Sequence, residues 1–402
     1  MTDIINDVQL DYSDVLIKPK RSTLNSRSEP NVYREYKFKW SDKRIYGNGL
    51  MTANMATTGT FKMAEVMAKN LMFTCLHKHY TYDELKEFLE KHKDEYIKYS
   101  YNDNELLAPF SDYVFVSTGI KDGDYEKICK VLDLGLCKNL CIDIANGYIT
   151  KLLEFVRNIR SKYPNIVIMV GNVVTGDMVQ DLILNGADIV KCGIGGGSAC
   201  LTRLKTSCGR PQFSTVLECA EAAHAVDGMI CADGGITCTG DICKAYGAGA
   251  DFVMVGGLVA GSDEADGEII KKVYKTSEVE VISCNKINED ANPIDYDYDQ
   301  YDIVETEPKY EIKKFKQFYG MSSKLAQEKH WCGMAKYRTS EGREKLIPYT
   351  GPVQNIIDDY LGGLRSYFTY CNIKKLKDAP KCTTFYRVNK QLNTVFANNQ
   401  NI

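Results

Sequence analysis

Along the chain, the pattern of apolar and polar positions changes character near residue 261. Before that point, eight short apolar runs rich in β-branched residues recur: GLMTANM (49–55), LMFTCLHK (71–78), DYVFVSTG (112–119), NLCIDIAN (139–146), IVIMVGNV (166–173), ADIVKCGIG (187–195), GMICADGG (228–235) and DFVMVGG (251–257). Most show no polar alternation, as parallel strands covered on both faces do not. Helix-length amphipathic segments separate them. In TGDMVQDLILNGA, Met178, Leu182 and Leu184 fall at near-helical spacing, Thr175 stands at the N-cap position and Gly186 at the stop. Eight such units in succession predict an α/β fold, a closed (β/α)8 TIM barrel in a single domain over 1–402. A doubly wound open sheet is the alternative, because strand order is not written in one sequence.

Beyond Gly261 the barrel period is lost. Residues 264–315 include the acidic, tyrosine-rich NEDANPIDYDYDQYDIVETEPKYE and a basic end, a composition that reads as a mobile surface insertion.

A barrel places catalytic groups at the C-terminal ends of its strands. Here those ends read HKHY, DIANGY, GNVVTG, GIGGGSAC, DGG and GG. One glycine at a strand end is ordinarily a turn or a helix cap. The pair of glycine turns after the last two strands is where barrels commonly hold a phosphate on backbone N–H groups.

Composition narrows the function by exclusion. A net charge of −3 over 402 residues gives no field that would gather nucleic acid or an anionic membrane, and no apolar run is long enough to span a bilayer. Fifteen cysteines scattered over a long chain, with no apolar leader after MTDIINDVQLDYSD, are expected to be reduced thiols of a cytoplasmic protein. Neither HExxH nor paired CxxC occurs, so His77 and His79 are read as shaping a loop. No GxGxxG follows the first strand, which argues against a Rossmann cofactor domain.

The candidate chemistry centres on Lys191-Cys-Gly-Ile-Gly-Gly-Gly-Ser-Ala-Cys-Leu-Thr-Arg203. Cys141 and Cys192 fall on strands and read as small hydrophobes. Cys200 instead lies in a loop too rich in glycine to be a packing element, where Arg203 or backbone N–H dipoles could favour a thiolate. Taken alone, Thr202 would be a turn or capping hydroxyl and Glu341 a solvated carboxylate.

GIGGGSACLTR resembles the catalytic loop of the IMP dehydrogenase/GMP reductase family. DVLIKPKRSTLNSRSE, HKHY, CIDIANGY, GNVVTG, FYGMSS, the EG of RTSEGREKL and DDYLGGLRSYFTY resemble the reductase branch, in the same order. Dehydrogenases of the family usually carry paired CBS modules after the second strand. The segment between Tyr80 and Asp112 is too short for them. Their flap also holds an Arg-Tyr pair, whereas this one is similar to a flap that pairs threonine with glutamate.

The resemblance implies an NADPH-dependent conversion of GMP to IMP and ammonia, with Cys200 as nucleophile forming a thioimidate and Thr202 with Glu341 relaying the proton. For GMP it implies Ser198, Asp233, Gly234, Gly235, Gly256 and Gly257 around phosphate and ribose. Gly320, Met321 and Ser322, with Arg338, Thr339, Ser340, Glu341 and Gly342 of a mobile flap at 330–351, would hold the base. For NADPH it implies Lys78, Asp143, Ile144, Ala145, Ile194, Gly195, Met321, Tyr337 and Arg338, with Ser366, Tyr367, Phe368 and Thr369 nearby. Ser26 and Arg27 would come from a neighbouring subunit, which implies a homotetramer. A potassium ion is implied on carbonyls of Gly195, Gly197 and Cys200 with the segment of Arg203. The chain departs from the family pattern at Gly196, usually proline, and at Ala56, commonly aspartate. Three other readings are open: IMP dehydrogenase activity on the same scaffold, a nucleotide-binding barrel without turnover, and a flavin-phosphate barrel.

Overall fold

The computed structural model describes residues 4–101, 104–286, 301–331 and 339–389. Eight parallel strands close on themselves: β1 (Leu50–Thr52), β2 (Phe73–Cys75), β3 (Val114–Thr118), β4 (Asn139–Asp143), β5 (Val167–Val173), β6 (Ile189–Cys192), β7 (Met229–Asp233) and β8 (Phe252–Val255). Closure is made by β8 on β1, with Val253 opposite Leu50 and Val255 opposite Thr52. Each strand lies inside one of the eight apolar runs. The open sheet is thereby excluded.

Helices α1 (Phe61–Lys69), α2 (Tyr82–Lys91), α3 (Asp124–Leu132), α4 (Thr150–Lys162), α5 (Gly176–Leu184), α6 (Thr202–Thr206), α7 (Gln212–His224) and α8 (Thr239–Gly247) alternate with the strands. Their starts follow local chemistry: Thr60 caps α1 by accepting from Met63 N, and Thr81 with Glu84 forms a capping box on α2. In α5 the expected pattern holds only partly. Gly186 ends it at φ +118°, but the Thr175 hydroxyl pairs with the Tyr148 hydroxyl (3.0 Å) rather than capping, and Leu184 is exposed. Val179 and Ile183, with Met178 and Leu182, form the buried face instead.

The two ends of the barrel differ in chemistry. At the N-terminal end, an antiparallel hairpin (Arg34–Lys37 with Arg44–Gly47) inserts Tyr36 against Phe252 (centroids 4.5 Å apart) and Phe73 (6.0 Å), making an aromatic floor. Toward the opposite end the interior turns polar, with Lys191, Asp143 and Asp233 on β6, β4 and β7. In between, burial pushes the Cys75 and Cys231 thiols up, and likewise Cys192 beneath α7, so they remain neutral packing groups. The thirteen cysteines whose side chains are described are all free.

The stretch 264–315 is not, for most of its length, an unstructured insertion. Strand β9 (Ile269–Lys286) pairs antiparallel with β10 (Tyr301–Tyr319), and β10 pairs with β11 (Glu344–Pro348). A two-sided, solvent-facing ribbon carries lysines on both faces, so charge hides the strand, while Ile270, Val273, Phe315 and Ile312 supply β propensity. Lys316 anchors its base by donating to the carbonyls of Ser262 (2.8 Å) and Ala265 (2.6 Å). A hairpin at Tyr96–Tyr101 and Asn104–Pro109 is a further addition, stacked through Tyr99 on Tyr46. No helix among the described residues is long and apolar enough to cross a membrane.

Candidate active site

The C-terminal mouth of the barrel opens into a cavity of about 660 Å³, a size suited to a nucleotide and part of a second ligand. Cys200, Thr202 and Glu341 line it together. Cys200 lies in the loop after β6, half-buried, and its thiol donates to Thr202 Oγ1 at 3.1 Å. Thr202, the first residue of α6, donates in turn to Glu341 Oε2 at 2.7 Å. Glu341 is 139 residues away in sequence and reaches this point through backbone pairing. Leu201 N donates to Glu341 O (2.6 Å) and Arg343 N to Ala199 O (2.9 Å), so the flap lies antiparallel on the cysteine loop. Ser340 knots the flap by donating to Gly342 O (2.9 Å) rather than lining the cavity.

Beside this triad the wall is made of glycine turns. Ser198, Gly234, Gly235, Gly256 and Gly257 line the same cavity. Gly234 and Gly235 sit at φ +102° and +78°, and a Cβ on Gly257 would stand 2.8 Å from the Ser198 hydroxyl. Glycine suits these places because backbone and hydroxyl crowd one point; the Gly235 N–H donates to Gly196 O (2.9 Å), tying the turn to the cysteine loop. Asp233 is set deeper, accepting from Asn172 Nδ2 (2.8 Å) and Lys191 Nζ (3.1 Å). Gly320, Met321, Ser322, Thr339 and Gly342 form the wall opposite. Met321 Sδ also accepts from the N–H of Ala56 (3.3 Å).

A second lobe is lined by Lys78, Asp143, Ile144, Ala145, Ile194 and Gly195. Burial works to raise the pKa of Asp143, but Lys191 and Lys78 outweigh it and hold the carboxyl well below the usual range. Lys191 is the converse: burial works against its charge, and Asp143 and Asp233 restore it, holding the ammonium above the ordinary lysine value. Next to this lobe, His77 stacks on Tyr80 (3.8 Å) and His79 on His330 (4.0 Å) of α9 (Lys324–Trp331). Burial, with His330 adding to it, lowers His77 to about 4 and His79 to about 3, so both are neutral aromatic plates. Among the described residues no cluster of His, Cys, Asp and Glu could hold a metal.

Other expected residues lie elsewhere. The Arg203 guanidinium pairs with Asp11 (3.2 Å) and with the Arg210 carbonyl, so its side chain braces the loop from behind. Ser26 and Arg27 lie on the exposed segment before Val32, away from the cavity lining. Ser366, Tyr367, Phe368 and Thr369 lie on α10 (Val353–Cys371) and do not line the cavity either. Phe368 is fully buried, Tyr367 is buried against Thr383, and the hydroxyls of Ser366 and Thr369 bond carbonyls of their own helix. Tyr337 and Arg338 are outside the described residues.

Sequence reasoning gave no role to Lys191, Asn172 or Asn54. The signal for Lys191 was present: a charged residue in the middle of an apolar strand, ADIVKCG, is costly to bury unless it serves a site.

Known proteins agree with this geometry. Residues 9–284 and 305–393 match the family model described as IMP dehydrogenase / GMP reductase domain. The unmatched part, 285–304, of which 287–300 lie outside the described residues, is shorter than the stretch set apart on composition. Mouse GMP reductase 2 is 43% identical over 401 residues, covering 100% of both chains. Mouse GMP reductase 1 is 44% identical over 391 residues, 97% of this chain and 98% of its own. The GMP reductase of Vibrio atlanticus is 43% identical over 394 residues, 98% and 99% of the two. With its barrel, its cysteine loop and a match along nearly its whole length, the chain belongs to the IMP dehydrogenase/GMP reductase family.

Proposed function

We infer that the protein is a GMP reductase, an oxidoreductase that uses NADPH to convert GMP to IMP and ammonia. The observation that carries this reading is the chain Sγ–Oγ1–Oε2 across Cys200, Thr202 and Glu341 at the mouth of a nucleotide-sized cavity.

The amino group on carbon 2 of guanine leaves only if it is protonated. The Cys200 thiol donates toward Thr202, and Thr202 toward Glu341, which gives its proton a path to the carboxylate as sulfur bonds to carbon 2. Returned through Thr202 to the amine, that proton lets the carbon–nitrogen bond break, leaving a thioimidate and ammonia. When NADPH is bound it supplies the hydride that adds to the same carbon. The carbon–sulfur bond then breaks, releasing IMP and a thiolate on Cys200.

Ser198 and the turns at Gly234–Gly235 and Gly256–Gly257 would hold the phosphate, Asp233 the ribose hydroxyls, and Gly320, Met321 and Ser322 with the flap from Arg338 to Gly342 the base. Lys78, Asp143, Ile144, Ala145, Ile194 and Gly195 would hold NADPH, with Met321, Tyr337 and Arg338. The lobe they form is lined by backbone, an ion pair and apolar groups, which fits a nicotinamide and its ribose. Ser26 and Arg27 are assigned to the NADPH site of a neighbouring subunit in a homotetramer. Lys20 N donates to Tyr370 O (2.8 Å) and Thr23 to Asn372 Oδ1 (3.0 Å), so the segment leading to Ser26 and Arg27 runs along the end of α10, the helix that carries Ser366 to Thr369. Ser26 and Arg27 are exposed there, available to an adjoining copy. Carbonyls of Gly195, Gly197 and Cys200, together with the segment of Arg203, would supply an all-oxygen donor set of the kind that suits potassium.

The test is to mix purified protein, GMP, NADPH and potassium, and to follow NADPH loss together with ammonia release. Equimolar loss and release supports the reading. Reduction of NAD by IMP, with no ammonia from GMP, overturns it.

A further inference from the structure

An ammonium group is the least expected occupant of a barrel interior, and Lys191 is 2% exposed there. It lies on β6, between β5 and β7, yet its charge is shared across the mouth: Nζ is 2.6 Å from Asp143 Oδ1 on β4 and 3.1 Å from Asp233 Oδ2 on β7. Both carboxylates line the one cavity, Asp143 among the residues assigned to NADPH and Asp233 among those assigned to GMP. Asp143 is also met by Lys78 (3.6 Å), and Asp233 by Asn172 (2.8 Å).

We propose that Lys191 is a positioning residue that ties the nucleotide-side carboxylate Asp233 to the cofactor-side carboxylate Asp143, keeping both ionised so that the two ligands meet over one fixed ion cluster. The proposal rests on those assignments to GMP and NADPH. Asp233 spends Oδ2 on Lys191 and Asn172, which leaves Oδ1 to accept from ribose hydroxyls, and this acceptor role requires the ionised form. The other groups facing Lys191 are Cys75 on β2, Cys141 on β4 and Cys231 on β7; Cys75 and Cys231 are held neutral by burial. No other cation is bonded to Asp233 among the described residues.

Without the ammonium, two carboxylate oxygens stand within about 6 Å of one another. Their repulsion at an effective dielectric of about 20 raises the proton affinity of the pair by about two pH units. The dissociation constant of GMP then becomes pH-dependent, weakening as pH falls and the pair takes up a proton.

The experiment is equilibrium titration of GMP between about pH 5 and about pH 8, on wild type and on Lys191→Gln, which keeps hydrogen-bond donors but not the charge. The GMP phosphate itself titrates near about pH 6, so each affinity is read as its ratio to wild type at the same pH. That ratio for Lys191→Gln should fall by up to about tenfold per pH unit below about pH 6. Lys191→Arg, which restores the charge, should return a flat profile, and so should Lys191→Gln combined with Asp143→Asn, which removes the repulsion. A flat profile for Lys191→Gln overturns the proposal, as does a slope that survives Asp143→Asn. If Lys191→Gln does not fold, Lys191→Met with Asp143→Asn is compared with Asp143→Asn alone. With the repulsion removed the cation is no longer needed to keep Asp233 ionised, so the two profiles should agree, and a slope confined to the double variant overturns the proposal. Wild-type turnover of GMP with NADPH is measured alongside: its absence sinks the functional reading, whereas turnover with a flat Lys191→Gln profile sinks only this inference.

Discussion

Replacing Thr202 with valine removes one oxygen from the site and almost no volume. That oxygen stands 3.1 Å from the Cys200 sulfur and 2.7 Å from Glu341 Oε2, so its loss cuts the path between them at the midpoint. Thr202 is half-buried and its hydroxyl makes no bond that fixes the fold, so the stability cost should stay near about 1 kcal/mol. The catalytic cost is larger. Positioned proton transfer contributes about a hundred- to ten-thousandfold, or about 3–5 kcal/mol of barrier. Glu341→Gln keeps the backbone bond from Leu201 N and should cost the same, because either change breaks one path. The double variant should then be no slower than either single variant, which makes the coupling energy as large as the single effect. The assay is the initial rate of NADPH loss and ammonia release with saturating GMP, alongside GMP affinity by calorimetry, expected to move by less than about threefold. Rate losses that multiply in the double variant would refute a shared relay, and so would a Thr202→Val enzyme with nearly normal turnover.

Cys200→Ala should bind GMP by calorimetry yet release no ammonia; residual turnover would exclude the covalent route. Gly257→Ala places a methyl 2.8 Å from the Ser198 hydroxyl, in the phosphate subsite, and should raise KM for GMP about tenfold or more while thermal melting barely changes. Because burial lowers His77 to about 4 from an unfolded value of about 6.5, its neutral form contributes stability that is fully present above about pH 6.5 and is lost as pH falls toward 4. The share due to His77 should be about 3 kcal/mol by urea denaturation; His77→Phe should remove that share and leave the part due to His79, lowered to about 3. Asp188 is fully buried, bonded to Arg160 Nη2 (2.7 Å) and to the N–H groups of Trp40 and Ile168 (2.9 Å each); Asp188→Ala should cost about 3–5 kcal/mol in the same assay.

The barrel was legible because each strand is a continuous apolar run, and a strand covered on both faces leaves little room for any other pattern. Cys200 was legible because the run of glycines leading up to it removes packing as an explanation for a thiol. Thr202 and Glu341 were not legible from their own surroundings: one looks like a capping hydroxyl, the other like a loop carboxylate, and only backbone pairing between 199–201 and 341–343 joins them. Resemblance supplied that link. Lys191 escaped because a lone charge in an apolar run does not say which carboxylates it meets across a closed sheet. The β9–β10 ribbon escaped because its backbone bonds need no apolar face, and its lysines and acids resemble those of a solvated loop.

The pairing that brings the flap onto the cysteine loop also makes nucleophile and acid inseparable from a latch. Leu201 N to Glu341 O, Arg343 N to Ala199 O and Arg343 Nε to Ser198 O are three hydrogen bonds within a few residues of the sulfur. Any excursion of residues 341–343 that breaks them also carries the Glu341 carboxylate away from Thr202. On the proposed mechanism an ajar flap is therefore a disarmed one: the relay from the thiol stops at Thr202 until residues 341–343 return.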